Sequence, residues 1–189
     1  MSARRASRLA IDTREALLLA FLAGFIVALR AALRWHLHIT GHSMLATAFA
    51  LVVARSCVER RFAATTCGAL AGLVAASLGM GKAGPFLIPM LALPGLAVDL
   101  VAWVAGAAAL RRTLLHGTAV GAAAGALTFF PTAAVEALAG MDLRVVALHA
   151  LTSAGAKAAF GALGGAAGAW VARELEHHGL LHAPAAAEG

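Results

Sequence analysis

Long apolar runs, separated by short polar stretches, are the feature that most restricts how this chain can fold. Six such runs are found, at positions 16–33, 43–53, 62–78, 86–110, 114–138 and 145–171. A helix of about 20 apolar residues crosses the hydrocarbon core of a bilayer, and its backbone polar groups are satisfied internally. The pattern therefore predicts an all-α integral membrane protein with a bundle of six transmembrane helices.

The composition supports this class. Only 13% of the residues are charged, whereas a soluble domain has about 25%. We expect one membrane domain, residues 16–172, between a basic tail at 1–15 and a flexible tail at 173–189. No cleavable signal peptide is expected, because the first run has spanning length and no small-residue cleavage site follows it. Pro89, Pro94 and Gly95 predict a kinked or partly unwound first half of the fourth span.

The basic residues predict the orientation of the bundle. With six spans, both termini share a side with ten of the fifteen lysines and arginines. The positive-inside rule places that side in the cytoplasm, so the predicted location is the inner (cytoplasmic) membrane, in multi-pass form. The net charge of +6 then reflects cytoplasmic loops, and no nucleic-acid partner is expected. The ten residues are Arg4, Arg5, Arg8, Arg14, Arg55, Arg60, Arg61, Arg111, Arg112 and Arg173.

Polar chemistry concentrates between the first two runs, where His36, His38 and His42 fall within seven residues. In an extended loop, His36 and His38 share a side, whereas His38 and His42 stack on a helical turn. Three imidazoles could ligate Ni, Co or Zn, or they could form hydrogen bonds to an organic ligand. We favour the organic ligand, and the three histidines remain the candidate metal ligands.

Other polar residues are predicted to share this outward-facing site. Trp35 offers an aromatic face, and Lys82, on a glycine-rich turn, suits a carboxylate or phosphate group. A mostly apolar pocket with a few convergent polar groups is typical of small-molecule sites. The predicted substrate-binding residues are Trp35, His36, His38, His42, Lys82, Glu136 and His149.

Two charged residues lie inside predicted spans, where they should face the bundle interior. Asp99 is 13 residues beyond Phe86, and Lys157 is 12 beyond Val145. At 1.5 Å per residue both lie about 18–20 Å below the outer surface, a depth compatible with a buried Asp99–Lys157 ion pair.

The sequence contains no recognisable catalytic motif. The segment from Gly79 to Lys82 resembles a phosphate-binding loop, but Ala76 and Ala83 occupy the positions where a Walker A motif has Gly and Ser or Thr. We therefore expect no enzymatic activity, no cofactor and no ATP hydrolysis by this chain.

Small residues recur at every fourth position of the first run: Ala16, Ala20, Gly24, Ala28 and Ala32. They place a narrow face along one side of a helix, and such faces allow close helix association in lipid. Chance in an alanine-rich chain is the alternative explanation.

Six spans in under two hundred residues, with this small face on the first, resemble the substrate-binding S components of energy-coupling factor (ECF) transporters. In that family the small face of the first helix contacts the transmembrane coupling subunit, and Ala16, Ala20, Gly24 and Ala28 match it. The resemblance implies ATPase subunits as further partners and a solute site on the extracytoplasmic side, under the loop joining the first two helices. Nickel and cobalt members carry an N-terminal Met-His pair, whereas this chain begins Met1-Ser2-Ala3. A vitamin-like organic solute is therefore favoured.

Other functions remain open at this point. The histidines could serve a transition-metal uptake or handling protein, or a small membrane enzyme. A purely structural membrane subunit is a further alternative.

Overall fold

Seven α-helices and one 3₁₀ turn form the part of the chain that the computed structural model describes, residues 12–36, 41–58, 60–80, 84–106 and 113–179. The 3₁₀ turn, Gly84–Phe86, leads into the fourth helix. In chain order the helices are α1 (Thr13–His36), α2 (Ser43–Cys57), α3 (Ala63–Ser77), α4 (Leu87–Ala105), α5 (Leu114–Leu127), α6 (Phe129–Leu138) and α7 (Leu143–His177).

Helix length separates the predicted spans into two groups. Four stretches are long and apolar enough to cross a membrane: Thr13–Ala32, Gly84–Ala105, Leu114–Leu138 and Leu143–His177. By contrast, α2 and α3 have 15 residues each, or about 22 Å of helix, against a hydrocarbon core of about 30 Å. The all-helical class and four membrane-length stretches are thus confirmed, while spanning by α2 and α3 stays a prediction.

Large apolar side chains cover much of the outer surface, as lipid contact requires. Val104 is 82% exposed, Leu115 79% and Leu143 74%. The interior is instead rich in alanine, and residues such as Ala48, Ala64 and Ala124 are fully buried. Apolar exposure on this scale marks an interaction surface, and a bilayer is the one that suits helices of this length.

Glycine brings the helix backbones together. A Cβ atom added to Gly121 of α5 would lie 2.0 Å from the carbonyl oxygen of Gly161 on α7. On another face of α7, the same atom at Gly164 would lie 2.1 Å from the Leu45 oxygen of α2. Between α3 and α4, a Cβ on Gly68 would lie 2.2 Å from the Leu91 oxygen. These contacts fit the small-residue packing of helices in lipid.

The helix pairs define two ends of the bundle. At one end, which we call the basic end, Arg60 Nε pairs with Glu15 Oε2 at 2.9 Å, joining the α2–α3 connection to the start of α1. At the opposite end, the histidine end, Gly41 lies two residues before α2 and packs against α7 at Ala156 and Lys157.

A break at Thr128 divides the predicted fifth span into α5 and α6. Pro131 has no N–H to donate to the carbonyl of Leu127, and its ring crowds that carbonyl. Before the break, the Thr128 amide donates to Gly125 O at 3.2 Å. After it, the Thr132 amide donates to Thr128 O, and this bond belongs to the next helix. Proline has no such effect in α4, which remains helical through Pro94, so the predicted unwinding there is absent.

The last helix is longer than expected. α7 continues to His177, through the first residues of the tail that we expected to be flexible. The sequence Arg173-Glu174-Leu175-Glu176 consists of strong helix formers, which explains the extension. At its other end, the Asp142 side chain caps α7 by accepting from Arg144 N at 2.8 Å.

Asp99 forms a buried clasp at the basic end. Its Oδ2 accepts from Thr65 N at 2.7 Å and Thr65 Oγ1 at 2.6 Å, while Oδ1 accepts from Ala64 N at 3.2 Å. Arg55 Nε of α2 lies 3.5 Å from Oδ1. One carboxylate of α4 thus satisfies the amino end of α3 and offsets a buried guanidinium.

The Asp99–Lys157 ion pair is therefore not formed. Along the bundle axis, Asp99 lies at the level of Arg55, and Lys157 lies at the level of Gly41. Gly41 and Arg55 are separated by 14 residues of mostly helical chain. At 1.5 Å per residue the two charges are about 20 Å apart along the bundle. The depth estimate failed because α4 and α7 do not begin at the same level.

Candidate solute-binding site

Lys157 is the charged side chain around which polar groups gather at the histidine end. It lies near the middle of α7, is half-buried, and donates from Nζ to Thr132 Oγ1 at 3.2 Å. The break at Thr128 begins α6 one turn before Thr132 and so positions this hydroxyl beside α7.

The segment joining α1 to α2 meets α7 at the same point. A Cβ atom on Gly41 would lie 3.0 Å from both Ala156 C and Lys157 N, and Gly41 has a φ of +94°. Both the close approach and the left-handed backbone favour glycine here. His42, half-buried, follows it directly and precedes α2.

Glu136 and His149 form a direct pair between α6 and α7. Their Oε1 and Nδ1 atoms are 2.5 Å apart, and the side chains are 15% and 59% exposed. The second oxygen of Glu136, Oε2, is buried and has no hydrogen-bond partner within the described ranges. A buried carboxylate oxygen without a donor is costly, so this oxygen is poised to accept a hydrogen bond.

Arg30, near the end of α1, adds a second cation. Its charge repels that of Lys157, and the charge of Glu136 attracts it. We call the set drawn from α1, α6 and α7 the polar cluster: Arg30, Thr132, Glu136, His149 and Lys157.

Of the predicted substrate-binding residues, Glu136 and His149 are brought into contact, and His42 lies next to Gly41. The backbones of Trp35 and His36 belong to the last turn of α1, and their side chains lie outside the described part. His38 and Lys82 fall outside the described residues altogether. No group of three metal-ligating side chains occurs where the structure is described, and the histidine metal site stays an untested prediction.

Two members of the polar cluster were missed as site residues by sequence reasoning. Arg30 is the only charged residue between 16 and 33, and that isolation was an available signal. Thr132 follows Pro131 in an apolar run, but only the tertiary structure shows that its hydroxyl meets Lys157.

The small face of α1 is open to the outside. Ala16, Ala20, Gly24 and Ala28 are all exposed, and a Cβ atom on Gly24 would meet nothing within 4 Å. By contrast, the glycines inside α3 and α5 are packed against the backbone of a neighbouring helix. The face on α1 therefore has no partner among the described residues of this chain.

Comparison with known proteins returned no match to any protein-family model, curated protein or solved structure.

Proposed function

We propose that this chain is the solute-capture subunit of an uptake transporter in the inner membrane. It would bind a small, vitamin-like organic molecule at the histidine end and depend on separate ATPase subunits for energy. The proposed arrangement is that of an ECF-type S component, with six helices crossing the membrane and both termini in the cytoplasm.

The polar cluster is the observation that carries this proposal. It is set in an alanine-rich bundle whose outer surface is apolar, and it contains unmet hydrogen-bonding capacity at Glu136 Oε2. At the basic end, by contrast, both carboxylate oxygens of Asp99 accept hydrogen bonds. A few convergent polar groups in apolar surroundings are characteristic of a small-molecule site.

The distribution of aromatic and basic residues supports the orientation. Trp103 and Trp170, which are 66% and 58% exposed, lie near the ends of α4 and α7, at the basic end. Exposed tryptophans are typical of the membrane–water interface, and arginines beyond it are typical of the cytoplasmic side. The polar cluster would then face the exterior, from which the solute arrives.

The exposed face of α1 supports a membrane partner. Small residues allow a second helix to approach closely, and four of them, Ala16, Ala20, Gly24 and Ala28, lie open in one row. We assign this face to the transmembrane coupling subunit, which would transmit the work of the ATPases.

The capture function is tested by extracting small molecules from the protein after purification from its native membrane. Wild type should retain a solute that mass spectrometry detects. Glu136→Gln, which weakens the accepting power of Oε2, should reduce occupancy by about ten-fold, equivalent to about 1.4 kcal/mol. Glu174→Gln is the matched control, because that side chain is 52% exposed and lies near the opposite end of α7. Equal occupancy in all three proteins, or no solute in wild type, would contradict a site at this cluster.

Coupling is tested by placing a large side chain on the open face of α1. Gly24→Leu should lower cellular uptake by at least ten-fold and leave solute retention unchanged, because leucine separates the two helix backbones. Gly155→Leu is the control, since Gly155 on α7 is equally open, with nothing within 4 Å of an added Cβ. Normal uptake by the Gly24 variant would remove the docking role from this face.

A further inference from the structure

The hydrogen bonds of Lys157 are incomplete. An ammonium group has three N–H donors, and Thr132 Oγ1 receives one of them. Within the described ranges, no carboxylate lies within 4.0 Å of Nζ. Lys157 is half-buried in an apolar bundle, where an ammonium without a close counter-charge is costly.

The described carboxylate that attracts Lys157 is already held by another side chain. Glu136 provides the one described carboxylate that interacts with Lys157 appreciably, and its Oε1 is held by His149.

We propose that the captured solute carries a carboxylate and that Lys157 is its counter-ion in the bound state. This inference rests on the proposed function, and it adds the chemical class of the solute. The carboxylate would accept the N–H donors that Thr132 leaves free. An apolar remainder of the solute suits the alanine-rich surroundings.

Thr132 has a positioning role in this scheme. Its hydroxyl holds one N–H of Lys157, which restricts a long side chain that otherwise has many rotamers. The ammonium is then presented to the ligand in a fixed place, and less conformational freedom is lost on binding.

The test uses pairs of small molecules that differ in the carboxylate: nicotinate and nicotinamide, pantothenate and panthenol, biotin and biotinamide. Binding is followed by the rise in melting temperature of the full chain in nanodiscs, with sodium chloride as the salt control. We expect at least one acid to stabilise wild type and its neutral partner to bind at least ten-fold more weakly. Lys157→Arg should keep this preference, and Lys157→Gln should remove it. Arg144→Gln, at an exposed cation of the same end, should behave as wild type.

The other outcomes distinguish failure of the carboxylate assignment from failure of the capture function. A neutral partner that binds as well as its acid, or a preference that survives in Lys157→Gln, overturns the carboxylate assignment and leaves capture intact. Equal stabilisation by sodium chloride shows a general salt effect and also overturns it. If no probe binds, the solute extracted from wild type decides, and one without an acid group overturns the assignment. If no probe binds and no solute is retained, the result contradicts the capture function itself.

Discussion

Gly121→Ala is expected to lower the free energy of unfolding by about 3 kcal/mol, the upper range for overpacking a tight interior. The added methyl group would lie 2.0 Å from the carbonyl oxygen of Gly161, far inside van der Waals contact. The obstacle is backbone, so no side-chain rotation relieves it, and α5 must move away from α7. Thermal unfolding in detergent, monitored by circular dichroism, measures the loss.

The matched control places the same methyl group where the structure has room. Gly155→Ala on α7 meets nothing within 4 Å, so it should leave the melting temperature unchanged or raise it slightly, since alanine favours helix by about 1 kcal/mol. Gly161→Ala should be as damaging as Gly121→Ala, because the same contact is approached from the other side, at 2.2 Å from the Gly121 oxygen. If all three variants melt together, α5 and α7 do not pack as described.

The second large effect concerns the clasp at the basic end. Asp99→Ala is expected to destabilise the fold by about 3–5 kcal/mol, the usual result of removing one partner from a buried ion pair. Arg55, 7% exposed, would stay buried without this counter-charge, and the amides of Ala64 and Thr65 would lose their acceptor. The measurement is again the unfolding transition, compared with wild type in the same detergent.

Two further variants separate the clasp from a general effect of losing an aspartate. Asp142→Ala removes an exposed helix cap and should cost about 1 kcal/mol. The double variant Arg55→Met/Asp99→Leu removes both charges and should recover much of the stability, because apolar side chains avoid the desolvation cost. A double variant no more stable than Asp99→Ala would mean that the charges themselves are not what Asp99 compensates.

Much of the fold could be predicted because apolar length and helix length are linked in a membrane. The run at 62–78 becomes α3, Ala63–Ser77, and the run at 145–171 forms most of α7. The break at Thr128 could not be placed, because Pro94 and Pro131 look alike in sequence and only the latter interrupts a helix. The tendency of proline to interrupt a helix was overridden by packing in α4, and it was not overridden between α5 and α6.

The site was predictable in part. Glu136 and His149 were both expected at the outward end, and they are in contact. Lys157 was assigned to an ion pair because its depth was counted along its own helix, whereas its true level follows from where Gly41 touches α7. Relative helix shifts of this kind arise from tertiary packing, and no count along one segment reveals them.

The glycines of α7 also determine which parts of the protein can move independently. Gly161 and Gly165 contact the backbone of α5, while Gly164 and Gly168 contact α2. Interfaces this close resist sliding and rotation, because such displacements bring backbone atoms into collision. We therefore expect α2, α5 and α7 to move as one body, and to tilt together in the transport cycle that we propose. α1 instead enters the core through larger side chains such as Leu22 and Ile26, which can repack when a helix shifts.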